Sequence, residues 1–379
     1  MRIFVLIICL SSFFLNFSQE DNLEQDLIFD KNIKSYSYVQ AEYFYGNILK
    51  HNENVGHFLV DHPTGVLLSW NKKTFGEKQW QERFNYPDYG FSFAYQDNKN
   101  EVLGDVYSFY GHYNFYFFNR TNKNQFVLRP SFGVGYNTKP YDKVTNPKNV
   151  AFGTKLNASV SFRLYYQREN ILKNVGVNAG LTFMHTSNAS FKSPNTGLNI
   201  WAATIGLNYN LNANNAIIEY ISNSDKEEII DKKINYNFEF KFGANESDFI
   251  GSGIKPFFVI AAYVDKRLNQ KSALQFGSEL FVNYSLKDFI DIKAITDATF
   301  EKGDFKRVGV FVGHELFINK LSIIGQLGYY VYYPIVFEGR IYERVGFKYY
   351  FKDKLFGSFT LKAHAAKAET FSLGIGIRL

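Results

Sequence analysis

Cysteine is nearly absent: the single residue, Cys9, lies within an apolar stretch at the start of the chain. Everything after it can form no disulfide and no cysteine-ligated metal site. Long hydrophobic runs are also missing. The stretch from Ile3 to Leu15, broken only by Ser11 and Ser12, follows Met1-Arg2 and is too short to cross a bilayer as a helix. No later segment is apolar enough to do so. The opening has the form of an export signal, with Asn16-Phe17-Ser18 before Gln19 as the cleavage region. Residues 1–18 are therefore expected to be removed, and apolar residues continuing past Cys9 argue against lipid attachment there. With only 8 Pro and no Pro/Gly/Ser linker, residues 19–379 are expected to form a single domain. Charge is not gathered by sign: the net +6 is scattered, without the basic stripe that nucleic-acid binding needs. It leaves a mild attraction to anionic lipid headgroups. No metal-ligand cluster, phosphate loop or recognisable glycosidase carboxylate pair stands out, and no cofactor is expected.

What the chain has is aromatic residues, 18 % of the total with 27 Tyr and 40 Phe, at a mean hydropathy just below zero. Apolar groups must therefore be interleaved with polar ones, and the sequence shows this as strict alternation. From Lys155 to Gln167, Leu156, Ala158, Val160, Phe162 and Leu164 oppose Asn157, Ser159, Ser161 and Arg163. Gln125 to Asn137 sets Phe126, Leu128, Phe132 and Val134 against Arg129, Ser131, Gly133 and Gly135. Later segments repeat the pattern: Arg307, Gly309, Gly313 and Glu315 oppose Val308, Val310 and Val312, and the last sets Phe371, Leu373, Ile375 and Ile377 against Ser372, Gly374, Gly376 and Arg378.

A soluble sandwich alternates too, and a secreted β-sandwich binding protein is one rival reading. Two features favour a barrel instead. The polar face mixes charges with many glycines, and Tyr107, Phe109, Tyr113, Phe115 and Phe117 share one parity, an aggregation hazard in water but suited to lipid. The expected fold is all-β, an antiparallel transmembrane β-barrel of the outer membrane with a polar interior and a lipid-facing apolar exterior. Candidate strands fall near 35–47, 64–72, 88–96, 104–118, 125–137, 154–167, 174–187, 198–210, 232–243, 254–265, 270–285, 304–318, 320–332, 342–352, 355–365 and 369–379. An even number of about 12–16 is expected, because closure removes edges that lipid cannot satisfy. Gly76 to Phe84 reads as a loop or interfacial helix, and Asp225 to Lys233 as a charged excursion into water.

One stretch carries chemistry. His185 and Ser187 stand two apart on a strand, hence on one face, and continue the apolar parity of Val175, Val177, Ala179, Leu181 and Phe183. The chain turns through Lys192-Ser193-Pro194-Asn195-Thr196-Gly197 and returns with Asn199 on the parity of Trp201, Ile205 and Leu207. A base, a hydroxyl and a group able to hold the second ring nitrogen thus face lipid near one end of a hairpin. Pro194 to Gly197 also fits plain turn chemistry. His112 and His314 lack such neighbours and read as lumen or interface residues.

The pattern His185-x-Ser187-Asn188-Ala189 followed by Pro194-Asn195-x-Gly197 resembles the core of the outer-membrane lipid A 3-O-deacylases of PagL type, or acyloxyacyl hydrolases. Asn149 to Asn157 and Leu361 to Leu379 look like the longer Bacteroidetes-type members. The resemblance implies His185 as general base, Ser187 as nucleophile, Asn188 in the oxyanion hole and Asn195 as support. It implies lipid A, or lipopolysaccharide of the outer leaflet, as substrate. The family's third catalytic residue is an acid, and the matching position here holds Asn199, an orienting amide in place of a carboxylate. Glu219 is another acid that the fold could bring near. The competing reading is a catalytically silent barrel serving as channel, adhesin or structural protein, favoured by the chain's length and the missing acid.

Overall fold

The computed structural model describes residues 36–51, 53–211, 220–222, 232–352, 354–365 and 367–379. The signal expected over residues 1–18, Glu219 and most of the Asp225–Lys233 excursion lie outside the described residues. Tyr36–Leu379 forms one compact unit.

The strands of the first half are β1 (Ser37–Ile48), β2 (Thr64–Lys72), β3 (Asp88–Asp97), β4 (Asp105–Tyr116), β5 (Asn124–Asn137), β6 (Leu156–Leu172), β7 (Val175–Ser187) and β8 (Leu198–Asn210). The second half contributes β9 (Ile234–Asn245), β10 (Lys255–Arg267), β11 (Ser272–Asn283), β12 (Lys306–Phe317), β13 (Leu321–Tyr332), β14 (Ile341–Tyr350), β15 (Leu355–His364) and β16 (Lys367–Arg378). Each of the expected strands is present with its ends moved by a few residues, and helix α1 (Gln79–Arg83) occupies the expected interfacial piece. Helix α2 (Tyr284–Thr296) was not anticipated. It begins where the Asn283 side chain accepts the Ser285 N–H at 3.0 Å and so caps the first turn.

Ring closure corrects the expectation of one barrel. β8 turns back onto β1 in antiparallel register from Tyr38↔Asn210 to Ile48↔Ile200, and β16 pairs with β9 from Leu373↔Phe242 to Arg378↔Asn237. The sixteen strands therefore form two closed eight-stranded barrels, β1–β8 and β9–β16. Side-chain parity is the same for one ring or two, so alternation could not choose between them.

The outward parity is apolar in both rings, with Phe109 and Phe162 about half exposed and Leu181 and Ile205 more so. Eight strands leave an interior just wide enough for side chains to fill. In the first barrel Arg129 donates to Asn114 Oδ1 at 2.6 Å and Ser69 Oγ at 3.0 Å, and Arg163 pairs with Glu42. His112, expected in the lumen or at an interface, lies buried between Ser92 and Asn71. In the second barrel Glu279 binds Lys241 at 2.9 Å and Arg344 at 3.1 Å, and Glu315 binds Lys348 at 2.8 Å. Such charges tolerate burial only because each finds its partner. Toward the end of β7 the first lumen becomes apolar, filled by Phe58, Leu103, Phe152, Met184, Leu198 and Ile200. The two barrels touch through Phe132, whose ring centroid lies 5.4 Å from that of Phe347 and 5.5 Å from that of Phe359.

Candidate active site

β7 and β8 form a hairpin in register, so His185 is the direct partner of Asn199. Their side chains meet on the outward face, with His185 Nδ1 2.5 Å from Asn199 Oδ1. Because the acceptor is an amide oxygen, Nδ1 carries the ring proton and Nε2 is the free base. Nε2 has no hydrogen-bond partner among the described residues. Hairpin register thus brings the two residues together as expected.

Ser187 closes β7 and is buried. Its Oγ receives the Asn195 Nδ2–H at 3.0 Å and the Ala189 N–H at 3.0 Å, and lies 3.3 Å from Asn195 Oδ1. Asn195 Oδ1 also accepts the Asn188 N–H at 2.9 Å. Asn188 Nδ2 donates to Lys192 O at 2.9 Å and Thr154 Oγ1 at 3.2 Å, while its Oδ1 is buried without a partner among the described residues. Ser187 and His185 are not joined by a hydrogen bond among the described residues, yet both flank Gly197. A Cβ there would stand 3.2 Å from His185 Cε1 and 3.2 Å from Ser187 Cβ, and φ of +68° suits glycine. Both side chains therefore border the same small space beside Gly197.

The loop after β7 is anchored from several directions. Asn149, fully buried, accepts the N–H groups of Ala151 and Phe152 at 3.1 Å each and donates to Lys139 O at 2.6 Å and Val102 O at 3.1 Å. The strap so held receives Thr196 N–H on Val150 O at 3.0 Å and Gly197 N–H on Ala151 O at 3.1 Å. His51 Nε2 lies 3.0 Å from Thr196 O. On the far side Glu246, from the β9–β10 connection, accepts the Ser193 N–H at 2.8 Å. Sequence reasoning did not single out His51 or Glu246, and Gly197 entered only as the last residue of the turn motif. Asn149 entered only within a flanking stretch, because loop contacts carry no period. His314, the other histidine left without a role, sits exposed on the outward parity of β12.

An antiparallel sheet closed without edges, apolar outside and side-chain-filled inside, defines a β-barrel protein of the outer membrane type. Residues 64–208 match the model of the lipid A 3-O-deacylase (PagL) family, and residues 230–379 match that of the acyloxyacyl hydrolase C-terminal domain. The chain belongs to the lipid A 3-O-deacylase (PagL) family, carboxylic ester hydrolases of the outer membrane. The first match runs over β2 to β8 of the first barrel, and the second covers the whole of the second barrel. No curated protein matches the chain in sequence. Among solved structures it is similar to a Rhodopseudomonas blastica porin at 8 % identity and a TM-score of 0.17, over 90 % of this chain and 99 % of that one. The outer membrane phospholipase of Salmonella typhi gives 8 % and 0.20 over 95 % and 94 %. Omp33 of Acinetobacter baumannii gives 8 % and 0.17 over 91 % and 97 %. At these scores the fold rests on the strand pairing alone.

Proposed function

We propose that the chain removes the 3-O-linked acyl chain of lipid A by a serine esterase mechanism in which Ser187 is the nucleophile and His185 the general base. The hydroxyl proton passes to Nε2 as Oγ attacks the ester carbonyl. In this mechanism the tetrahedral oxyanion is stabilised by N–H donors beside Ser187, those of Asn188, Ala189 and the Asn195 side chain, which without substrate bond to Asn195 Oδ1 and Ser187 Oγ. The imidazolium then returns its proton to the departing 3-hydroxyl oxygen, and water hydrolyses the acyl-enzyme by the reverse sequence. Asn199 holds the imidazole in the tautomer that leaves Nε2 basic. The observation that carries this reading is the bond between His185 Nδ1 and Asn199 Oδ1, on the outward face of the hairpin, where a substrate embedded in the outer leaflet would arrive laterally.

The test is mass spectrometry of lipid A from a host lacking such enzymes. Expression of the parent chain is expected to remove one 3-O-linked acyl group and Ser187→Ala to leave lipid A intact. Unchanged lipid A with the parent chain would sink the reading, as would loss that persists in Ser187→Ala.

A further inference from the structure

The first barrel carries every residue assigned above, which leaves the second without a part in the reaction. Four hydrogen bonds join the two at the site. Glu246, buried at the start of the β9–β10 connection, uses one carboxylate oxygen to accept the Ser193 N–H at 2.8 Å. Its other oxygen accepts the N–H groups of Gly251 at 2.9 Å and Gly253 at 3.0 Å, both at positive φ, so the carboxylate is fixed by its own loop. Its main-chain N–H donates to Ser190 O at 3.0 Å. Ser193 Oγ adds a bond to Ser247 O at 2.8 Å, and Ser190 Oγ one to Ala368 O at 2.8 Å. The gripped segment, Ser190 to Ser193, lies between Asn195, whose side chain bonds Ser187 Oγ, and Asn188, whose N–H that side chain accepts. On its other side the segment has no freedom either, since a Cβ on Gly153 would stand 2.4 Å from Lys192 O and 2.7 Å from Pro194 O.

We infer that Glu246 is a positioning residue for the deacylase site: the second barrel serves as a clamp that fixes the loop between Asn188 and Asn195 and thereby aims Ser187. The inference rests on the proposed Ser187 mechanism. A carboxylate bonded to main-chain N–H groups makes strong, directional, charge-assisted hydrogen bonds. Removing it frees a loop whose displacement by a fraction of an ångström misplaces both nucleophile and oxyanion donors, while binding of the acyl chain on the barrel wall is untouched.

The test compares the full-length parent, E246A, E246Q, D265N and S187A. Each is first shown to reach the heat-modifiable folded form. Turnover of lipid A is then measured together with the rate at which a fluorophosphonate probe labels Ser187. E246A is expected to lower kcat and labelling by roughly ten- to hundred-fold with KM little changed. E246Q, which keeps one accepting oxygen, should fall between it and the parent. D265N alters the opposite end of the second barrel, where Asp265 pairs with Arg378, and should behave as the parent. Parent-like rates in E246A would overturn the inference, as would a loss confined to KM or an equal loss in D265N. If E246A does not fold, E246Q decides by the same criteria. Activity persisting in S187A would instead remove the mechanism beneath it.

Discussion

At the residue scale the open question is what an amide does where the family uses an acid. In the proposed mechanism Asn199 fixes the ring tautomer but cannot balance the imidazolium formed as Ser187 gives up its proton; the reverse change, acid to amide, costs about 10⁴ in a serine protease. Asn199→Asp is therefore expected to raise kcat by at least roughly ten-fold, and Asn199→Ala to lower it, both read from the rate of lipid A deacylation. Gly197 offers a second check. Its positive φ and the 3.2 Å approaches to His185 and Ser187 leave little room for a methyl group, so Gly197→Ala should abolish probe labelling of Ser187. The barrel should survive, since the glycine lies outside every strand.

At the scale of elements, strands and loops differ in what the chain reveals of them. A strand imposes a period of two, and lipid outside with filled lumen inside makes that period visible; β5, β6 and β12 could be read residue by residue. His185 opposite Asn199 follows from the same rule, because a hairpin fixes cross-strand partners. The strap around Asn149 follows no period: its side chain accepts from Ala151 and Phe152 within the strap, and donates to Lys139 ten residues back and to Val102 47 residues back. Asn149→Ala would leave those buried main-chain groups unpaired, a cost of about 1–3 kcal/mol for each group left without a substitute. Proteolysis within residues 138–155 should accelerate and deacylation should weaken, with strand content by circular dichroism preserved. α2 escaped notice for a related reason: a single helix beyond a strand end leaves the alternation on either side intact.

At the scale of the molecule, closure into two narrow rings weighs against the channel reading. A wide sixteen-stranded ring would leave an aqueous lumen, whereas these interiors are occupied by Arg129, Arg163, Glu279, Arg344 and Glu315 with their partners. Purified protein in planar bilayers should show no sustained conductance; stable openings would count against the filled lumens. Stability should depend on the interior pairs. Glu42→Ala strands Arg163 in the first lumen, and removing one member of a buried pair costs about 3–5 kcal/mol. The midpoint of heat-modifiable migration should drop markedly, and less in Glu42→Gln, which keeps an acceptor for the guanidinium.

The sequence by itself determined which segments are strands, which faces meet lipid and that His185, Ser187 and Asn199 share one outward face, because pleat and hairpin register are local and periodic. Tertiary structure alone decided that β8 returns to β1 and that the loop beside Ser187 is gripped by Asn149 from one side and Glu246 from the other. Closing partners and loop contacts depend on which distant groups meet in space, and an alternating pattern is the same whichever strand lies next to it.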